Sequence, residues 1–361
     1  MHLNTKKDKI IVTGREGIIL YEIEEDNQLK KIGPIIPKRT LRKGAILDAQ
    51  WSKPIISNNQ YNEYILYSSA EKVIRLFDVN KLKNEWEYSL NTKSSNSGAS
   101  RSSSKAQKLM WNPHEFHTTF FFSCHENGYI MYWDKDQPAP LLEFNYHMET
   151  TTVRNFDINP RNGRIFACGH ENGKIFVWDM EDQNEPVLYI QPSNHFYEGF
   201  EWHPTNKELL MVGGAMITII KIQGKTNDIE QTIPYLRGKL SCLKWRPKYD
   251  NQISYASENC IIIIDKNRPY FYEYIVQPDC GPIQFFEWDN KNNLIVQGKK
   301  DLVIVNINQA ERPSGTIRVG VCDVNVHENI FFITQEQFNR DPNRLQARRK
   351  GQSWVEFIHY V

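Results

Sequence analysis

Short apolar runs, each closing on a bulky anchor residue and followed at once by polar loop residues, recur along this chain. They end as DAQW at Trp51, KLMWNP at Trp111, NFDINP at Ile158, GFEWHP at Trp202, CLKWRP at Trp245 and FFEWDN at Trp288. The last four steps are 47, 44, 43 and 43 residues, and the first is 60. The excess lies in SLNTKSSNSGASRSSSK, residues 89–105, a serine-rich stretch with too little apolar surface to order itself, so it reads as a flexible insertion. After each anchor come a polar loop, a second apolar run, a tight turn and a third run. The third run closes on an aromatic–acid pair or its remnant: Phe77-Asp78, Trp133-Asp134, Trp178-Asp179, Ile264-Asp265 and Val305-Asn306, while the unit containing TIIKI has lost the pair. PLLEF and PVLYI then supply fourth runs.

Four short strands per repeat of this length predict the blades of an all-β propeller, each blade an antiparallel four-stranded sheet. Six anchored repeats are supplemented by residues 9–32, which look like the second, third and fourth strands of a blade whose first is missing. A strand within 316–335 is expected to supply it, closing a seven-bladed ring and leaving no long unpaired edge. The expected organisation is a propeller over 1–335 and a polar basic tail over 336–361, which carries a short terminal strand or a truncated connection to a missing domain.

Composition supports strands, with aromatic and β-branched residues abundant and alanine scarce. Lys and Arg number 44 against 43 Asp and Glu, so a net charge of +1 gives no electrostatic case for nucleic acid or an acidic membrane. Six scattered cysteines, with no C-x-x-C, read as buried free thiols of a reducing compartment. The start lacks a signal-peptide core, and no apolar run is long enough to span a bilayer, so a soluble intracellular protein is expected.

The tetrapeptide His-Glu-Asn-Gly occurs twice, at His125 and His170, each copy near a cysteine (Cys124, Cys168). Between the second and third strands of a blade it reads as a hairpin turn in which Asn127-Gly128 and Asn172-Gly173 supply positive φ. The rival reading, a metal ligand set, fails on spacing, because equivalent loops of adjacent blades lie too far apart to share one zinc. Phosphate-binding, zinc-protease and serine-nucleophile motifs are absent, and the adjacent arginines Arg348-Arg349 sit in the polar tail. No catalytic residue, metal or cofactor is expected. Turns between strands two and three share one face of the disc with the loops entering strand one. His125, Glu126, Asn127, His170, Glu171, Asn172, His195, Phe196 and Tyr197 are therefore expected to form a partner-binding face, unless Phe196 tucks under the neighbouring blade.

The Trp-Asp closings and their spacing resemble the WD-repeat family. In that family a histidine before strand one bonds a strand-two Ser or Thr and the strand-three Trp. The resemblance places His147 in such a network with Trp178, left incomplete by Ala167-Cys168, and gives His195 a weaker version. It makes Trp51, Asp78, Trp111, Trp133, Asp134, Trp178, Asp179, Trp202, Trp245, Asp265 and Trp288 structural repeat positions. The order TTVRNFDINP, HENGKIFVWD, FEWHP and KWRP further resembles the N-terminal propellers of SEA/GATOR subunits. That implies a non-catalytic scaffold acting upstream of TOR kinase in response to amino acids, in the cytoplasm or at the lysosomal or vacuolar surface. It would bind sister propellers and other protein subunits, and meet the membrane only peripherally, through them. In that family a helical solenoid and a cysteine-rich, RING-like end follow the propeller, so the resemblance implies either a fragment or a divergent relative that has lost the zinc domain, and ubiquitin-ligase activity is not carried over. Rival readings are a substrate receptor of a cullin ubiquitin ligase, another WD-repeat coat subunit, or an enzyme in the central funnel. The last would need converging acids or histidines on inner strands that read as Leu, Phe, Ile, Trp and Val.

Overall fold

A computed structural model describes residues 1–14, 17–25, 27–37, 45–57, 60–89, 104–146, 149–191, 197–235, 239–307, 316–319 and 331–334. They form an all-β propeller of seven antiparallel blades, as the repeat predicted. From the inside outwards the first blade is His2–Leu3, Lys9–Gly14, Gly17–Ile23 and Leu29–Pro37. The second is Ile46–Trp51, Tyr64–Ser69, Val73–Asp78 and Lys83–Ser89, with an extra hairpin, Ile55–Ser57 and Gln60–Asn62. The third is Ala106–Trp111, Phe120–His125, Ile130–Asp134 and Leu142–Phe144, and the fourth Val153–Ile158, Ile165–His170, Ile175–Asp179 and Leu188–Ile190. Gly199–Trp202, Leu209–Gly213, Ile217–Gln223 and Thr226–Ile233 make the fifth; Leu240–Trp245, Gln252–Ser257, Cys260–Asp265 and Arg268–Val276 the sixth. The seventh shows three strands among the described residues, Ile283–Trp288, Asn293–Gly298 and Leu302–Asn306. Residues 90–103 of the expected insertion, and the tail 336–361, lie outside the described residues.

Strand alternation sends side chains towards the two neighbouring blades, so the core consists of layers between blades. Leu66, Ile74 and Tyr88 of the second blade, for example, pack with Leu109, Phe121 and Trp133 of the third. All six anchors, from Trp51 to Trp288, are buried in such layers. The Asp that closes the third strand in four of the blades has a different task, capping the turn that follows. Asp78 Oδ1 accepts the Asn80 N–H (2.8 Å), Asp134 that of Asp136 (3.1 Å), Asp179 that of Glu181 (3.1 Å) and Asp265 that of Asn267 (2.8 Å). This local bond is why the acid recurs even where the preceding Trp does not. Cys124, Cys168, Cys242 and Cys280 are buried free thiols and Cys260 is half-buried.

The ring does not close as expected. His2–Leu3 itself is the inner strand of the first blade, pairing His2 with Ile11 and Leu3 with Ile10. Leu3 is an anchor followed by Asn4, just as Trp111 and Ile158 are followed by Asn112 and Asn159, so the inner place is already filled. Leu3 and Ile10 pack on Ile295 of the seventh blade, Lys7 Nζ donates to the Trp288 carbonyl, and Asn290 Nδ2 donates to the Lys6 carbonyl (3.2 Å). The first and seventh blades therefore meet by side-chain packing and loop hydrogen bonds. The strands Thr316–Val319 and Phe331–Thr334 pair instead with each other and, at Phe271–Ile317, with the outer strand of the sixth blade.

Candidate functional site: two loop faces and a charged channel

The HENG copies are hairpin turns, but their histidines are structural. His125 N–H donates to the Tyr129 carbonyl (2.9 Å) and Gly128 N–H to the His125 carbonyl (3.2 Å); His170 and Gly173 repeat the pattern at 2.8 and 3.0 Å. Positive φ falls on the glycines alone, +83° at Gly128 and +80° at Gly173, and not on Asn127 or Asn172 as the sequence reading had it. His125 is fully buried. Its Nε2 lies 2.8 Å from Ser123 Oγ, which also accepts the Trp133 Nε1–H at 2.8 Å, so the Trp–Ser–His chain that the family resemblance led us to seek at His147 is built by the tetrapeptide. Burial pushes the His125 imidazole down to about 4, leaving it neutral. In the next blade Cys168 takes the place of Ser123 and lies 3.8 Å from His170 Nε2, while His170 Nδ1 is 3.1 Å from the Thr151 carbonyl. That network is the weakened one. His147 lies outside the described residues.

The remaining members of the predicted face divide. Glu171 is exposed and paired with Arg154 (2.6 Å), Glu126 is half-buried and paired with Lys105 (3.5 Å), and Asn172 Oδ1 caps Lys174 N–H (3.2 Å). Asn127 is half-buried in its turn. Tyr197 is buried, its hydroxyl 3.4 Å from the Gly173 carbonyl of the preceding blade and its own carbonyl accepting Asn155 Nδ2, so it packs between blades and presents no surface to a partner. His195 and Phe196 lie outside the described residues. No group of three His, Cys, Asp or Glu side chains suited to a metal ion occurs among the described residues.

What the sequence reading missed lies in the centre. The residue before each anchor alternates away from the blade layers, and these residues, His2, Gln50, Met110, Asp157, Glu201 and Glu287, line a cavity of about 510 Å³. Lys244, at the same repeat position, bridges Glu201 (3.3 Å) and Glu287 (3.4 Å). The mouth is rimmed by loops that follow the first strands, including Lys53, Pro113, Pro160, Pro204 and Pro247. It therefore opens on the face opposite the HENG turns. Burial and the neighbouring Glu201 push the Asp157 carboxyl up to about 7; burial also raises Glu201. Against its own burial Glu287 is held below the usual carboxylate range, chiefly by Lys244, and burial pushes His2 down to about 4.

Several of these side chains, together with Asp48, also accept backbone hydrogen bonds from the next blade. Asp48 Oδ2 accepts the Leu109 N–H (2.8 Å), Asp157 Oδ2 the Trp202 N–H (2.6 Å), Glu201 Oε2 the Trp245 N–H (2.6 Å), and His2 Nδ1 the Trp51 N–H (3.1 Å). Each is a latch from one inner strand to the next. A second, partial ring is formed by the polar residue after three of the anchors: Asn112 donates to the Gly163 carbonyl (3.0 Å), Asn159 to that of Lys207 (2.7 Å) and His203 to that of Asp250 (2.7 Å). The period-two alternation around the anchors could have revealed both rings, had the flanking residues been read along with the anchors.

No family profile matches the chain. It is similar to "GATOR2 complex protein WDR24", 21% identical over 271 residues of the Xenopus laevis protein and over 285 residues of the human one, covering 73% and 77% of the chain. It is also 26% identical to the Xenopus laevis "DDB1- and CUL4-associated factor 13" over 139 residues, 38% of the chain and 30% of that protein. The chain spans about a third of the length of the WDR24 proteins, 32% in each case. Among solved structures it superposes on a chain of the "Crystal Structure of Mitotic Checkpoint Complex" with a TM-score of 0.66 and 12% identity, covering 85% of this chain and 86% of that one, a likeness of fold.

Proposed function

We propose that this chain, a β-propeller with WD-repeat homologues, is a non-catalytic scaffold subunit of a GATOR2-type assembly that regulates TOR kinase in response to amino acids. The observation that carries the reading is the alignment with WDR24 from several vertebrates along about three quarters of the chain. The channel is consistent with it. Its carboxylates are committed to the next blade's N–H groups or to Lys244, which serves rigidity better than turnover. A disc held by such latches can present loops on two faces and an outer rim to several proteins at once. Sister propellers and other subunits would be the partners, and contact with the lysosomal or vacuolar surface would run through them; no helix among the described residues is long and apolar enough to cross a membrane.

Affinity purification of the full chain from its own cells, with mass spectrometry, tests this. Recovery of sister propeller subunits of one assembly supports it. Recovery of a cullin and its adaptor, in the absence of such subunits, would move the assignment to a ligase substrate receptor, the reading favoured by the shorter match to DDB1- and CUL4-associated factor 13.

A further inference from the structure

The central cavity carries more polar chemistry than its latches use. Asp157 takes the Ile158 N–H on Oδ1 (2.9 Å) and the Trp202 N–H on Oδ2 (2.6 Å), while Glu201 takes the Trp245 N–H on Oε2 (2.6 Å) and faces Lys244 with Oε1 (3.3 Å). A carboxylate oxygen has two lone pairs, so each of these four oxygens keeps room for a further donor. His2 Nδ1 accepts the Trp51 N–H, so the proton of its neutral imidazole sits on Nε2, which has no hydrogen-bond partner among the described residues. The Gln50 side-chain amide has none either, and both residues line the cavity together with Asp157 and Glu201. Positive charge is unevenly shared around it. Lys244 serves Glu201 and Glu287; Lys7 donates to the Trp288 carbonyl and is drawn by Glu287 and Asp289; the Met1 amine is drawn by Asp48 and Glu287. Lys53 donates to the Pro113 carbonyl and is drawn by Glu115. The charges acting on Asp157 are Glu201, of its own sign, and the already shared Lys244. Asp157 and Glu201 therefore lack a cation of their own, and uncompensated charge away from water is costly.

We propose that the cavity is a receptor for the arginine side chain of a partner protein's loop, its guanidinium bridging Asp157 and Glu201. A planar guanidinium presents five donors in a fixed fork, sheds water more readily than an ammonium, and can address two carboxylates at once. The mouth suits the rest of the residue. Pro113, Pro160, Pro204 and Pro247 give it an apolar rim against which an aliphatic stem can lie, and a cavity of about 510 Å³ has room for one such side chain with its flanking main chain. His2 Nε2–H and the Gln50 amide offer donors to the carbonyls of that main chain. Such a receptor would serve a GATOR2-type subunit and a ligase substrate receptor alike, on the face opposite the HENG turns.

Titration calorimetry of the full chain with the peptide acetyl-Gly-Arg-Gly-amide tests this, against the same peptide carrying citrulline, which keeps the shape of arginine without its charge. Saturable binding of the arginine peptide at about pH 8, and binding of the citrulline peptide at least about tenfold weaker, are expected. Burial and Glu201 raise the Asp157 carboxyl to about 7, so a proton competes with the guanidinium there, and the arginine affinity should fall as pH is lowered from about 8 to about 6. Asp157→Asn and Glu201→Gln, each checked for folding by its melting curve, should weaken binding by a similar factor, whereas Glu171→Gln on the opposite face should leave it unchanged. Equal affinity for the two peptides overturns the proposal. So does an arginine affinity that survives both Asp157→Asn and Glu201→Gln, and so does absence of binding to the full chain at millimolar peptide. Should either variant fail to fold, the comparison of arginine with citrulline on the unaltered chain still decides.

Discussion

A neutral imidazole in a dry layer between blades explains why His125 recurs with its turn, and it changes what substitution should do. Ser123 Oγ accepts from Trp133 and lies within bonding distance of His125 Nε2, so His125→Ala leaves Ser123 short of a partner and opens a void. A loss of about 1–3 kcal/mol is expected in chemical denaturation, against near-neutrality for a mere turn residue. Because the folded-state pKa is depressed to about 4, the unfolded chain binds the extra proton. This contribution is complete above the unfolded value of about 6.5 and is lost as pH falls towards 4. Gly128→Val should cost more than about 1 kcal/mol, since φ is +83° and a Cβ there would lie 2.1 Å from the Glu149 carbonyl oxygen. Asp157 has the opposite sign to His125. Its carboxyl is raised to about 7, so its unfavourable contribution grows as pH rises from about 4 to 7, and Asp157→Asn should flatten that part of the stability profile relative to the wild type.

At the scale of strands and loops, the anchors and closing acids were legible because each keeps one chemical identity in most repeats and serves one local need. The polar residues after the anchors share a role without sharing an identity: Asn4, Ser52, Asn112, Asn159, His203, Arg246 and Asp289 are all buried. Residue-by-residue comparison sees five residue types, with only Asn repeated, whereas the fold sees one position where a loop must satisfy backbone groups as it leaves the inner strand. Asn159 does this twice over, accepting from Arg161 N–H (3.0 Å) and Asn162 N–H (3.1 Å) while donating to the next blade. Asn159→Leu should therefore cost about 2 kcal/mol or more in denaturation, comparable to losing an anchor contact. Tyr197 belongs to the same scale. Read from sequence beside Phe196 it had the look of an interface aromatic, but burial between blades makes Tyr197→Ala a packing change, expected to lower melting without a selective loss of partners. Sequence alone could not separate these readings, because a loop that enters an inner strand carries aromatic residues for either purpose.

For the molecule as a whole, seven blades could be counted from the period, but the closing contact could not, because an inner strand of two residues carries almost no periodic signal. His2–Leu3 is recognisable only by analogy with the other anchors and their following polar residue. Its small size is out of proportion to its position. Leu3 fills the layer between the first and seventh blades with Ile10 and Ile295, His2 latches the second blade, Asn4 folds its loop by accepting Asp8 and Lys9 N–H groups (both 3.1 Å), and Lys6 and Lys7 reach the seventh blade. Burial of one leucine contributes about 1.5–3 kcal/mol, and the hydrogen-bonded loop adds to it. Removing residues 2–5 should therefore lower the melting temperature markedly, and by uncovering Ile10 and Ile295 it should promote association measurable by light scattering. Leu3→Ala alone should lose about 2–4 kcal/mol while the inner backbone pairing persists. A shortened chain that melted like the full one would mean that the ring is held by other contacts than those between Leu3, Ile10 and Ile295. The expected order of damage, deletion worse than Leu3→Ala and Leu3→Ala worse than His2→Ala, follows from what each change removes: a strand with its loop, a buried side chain, or a single latch to Trp51.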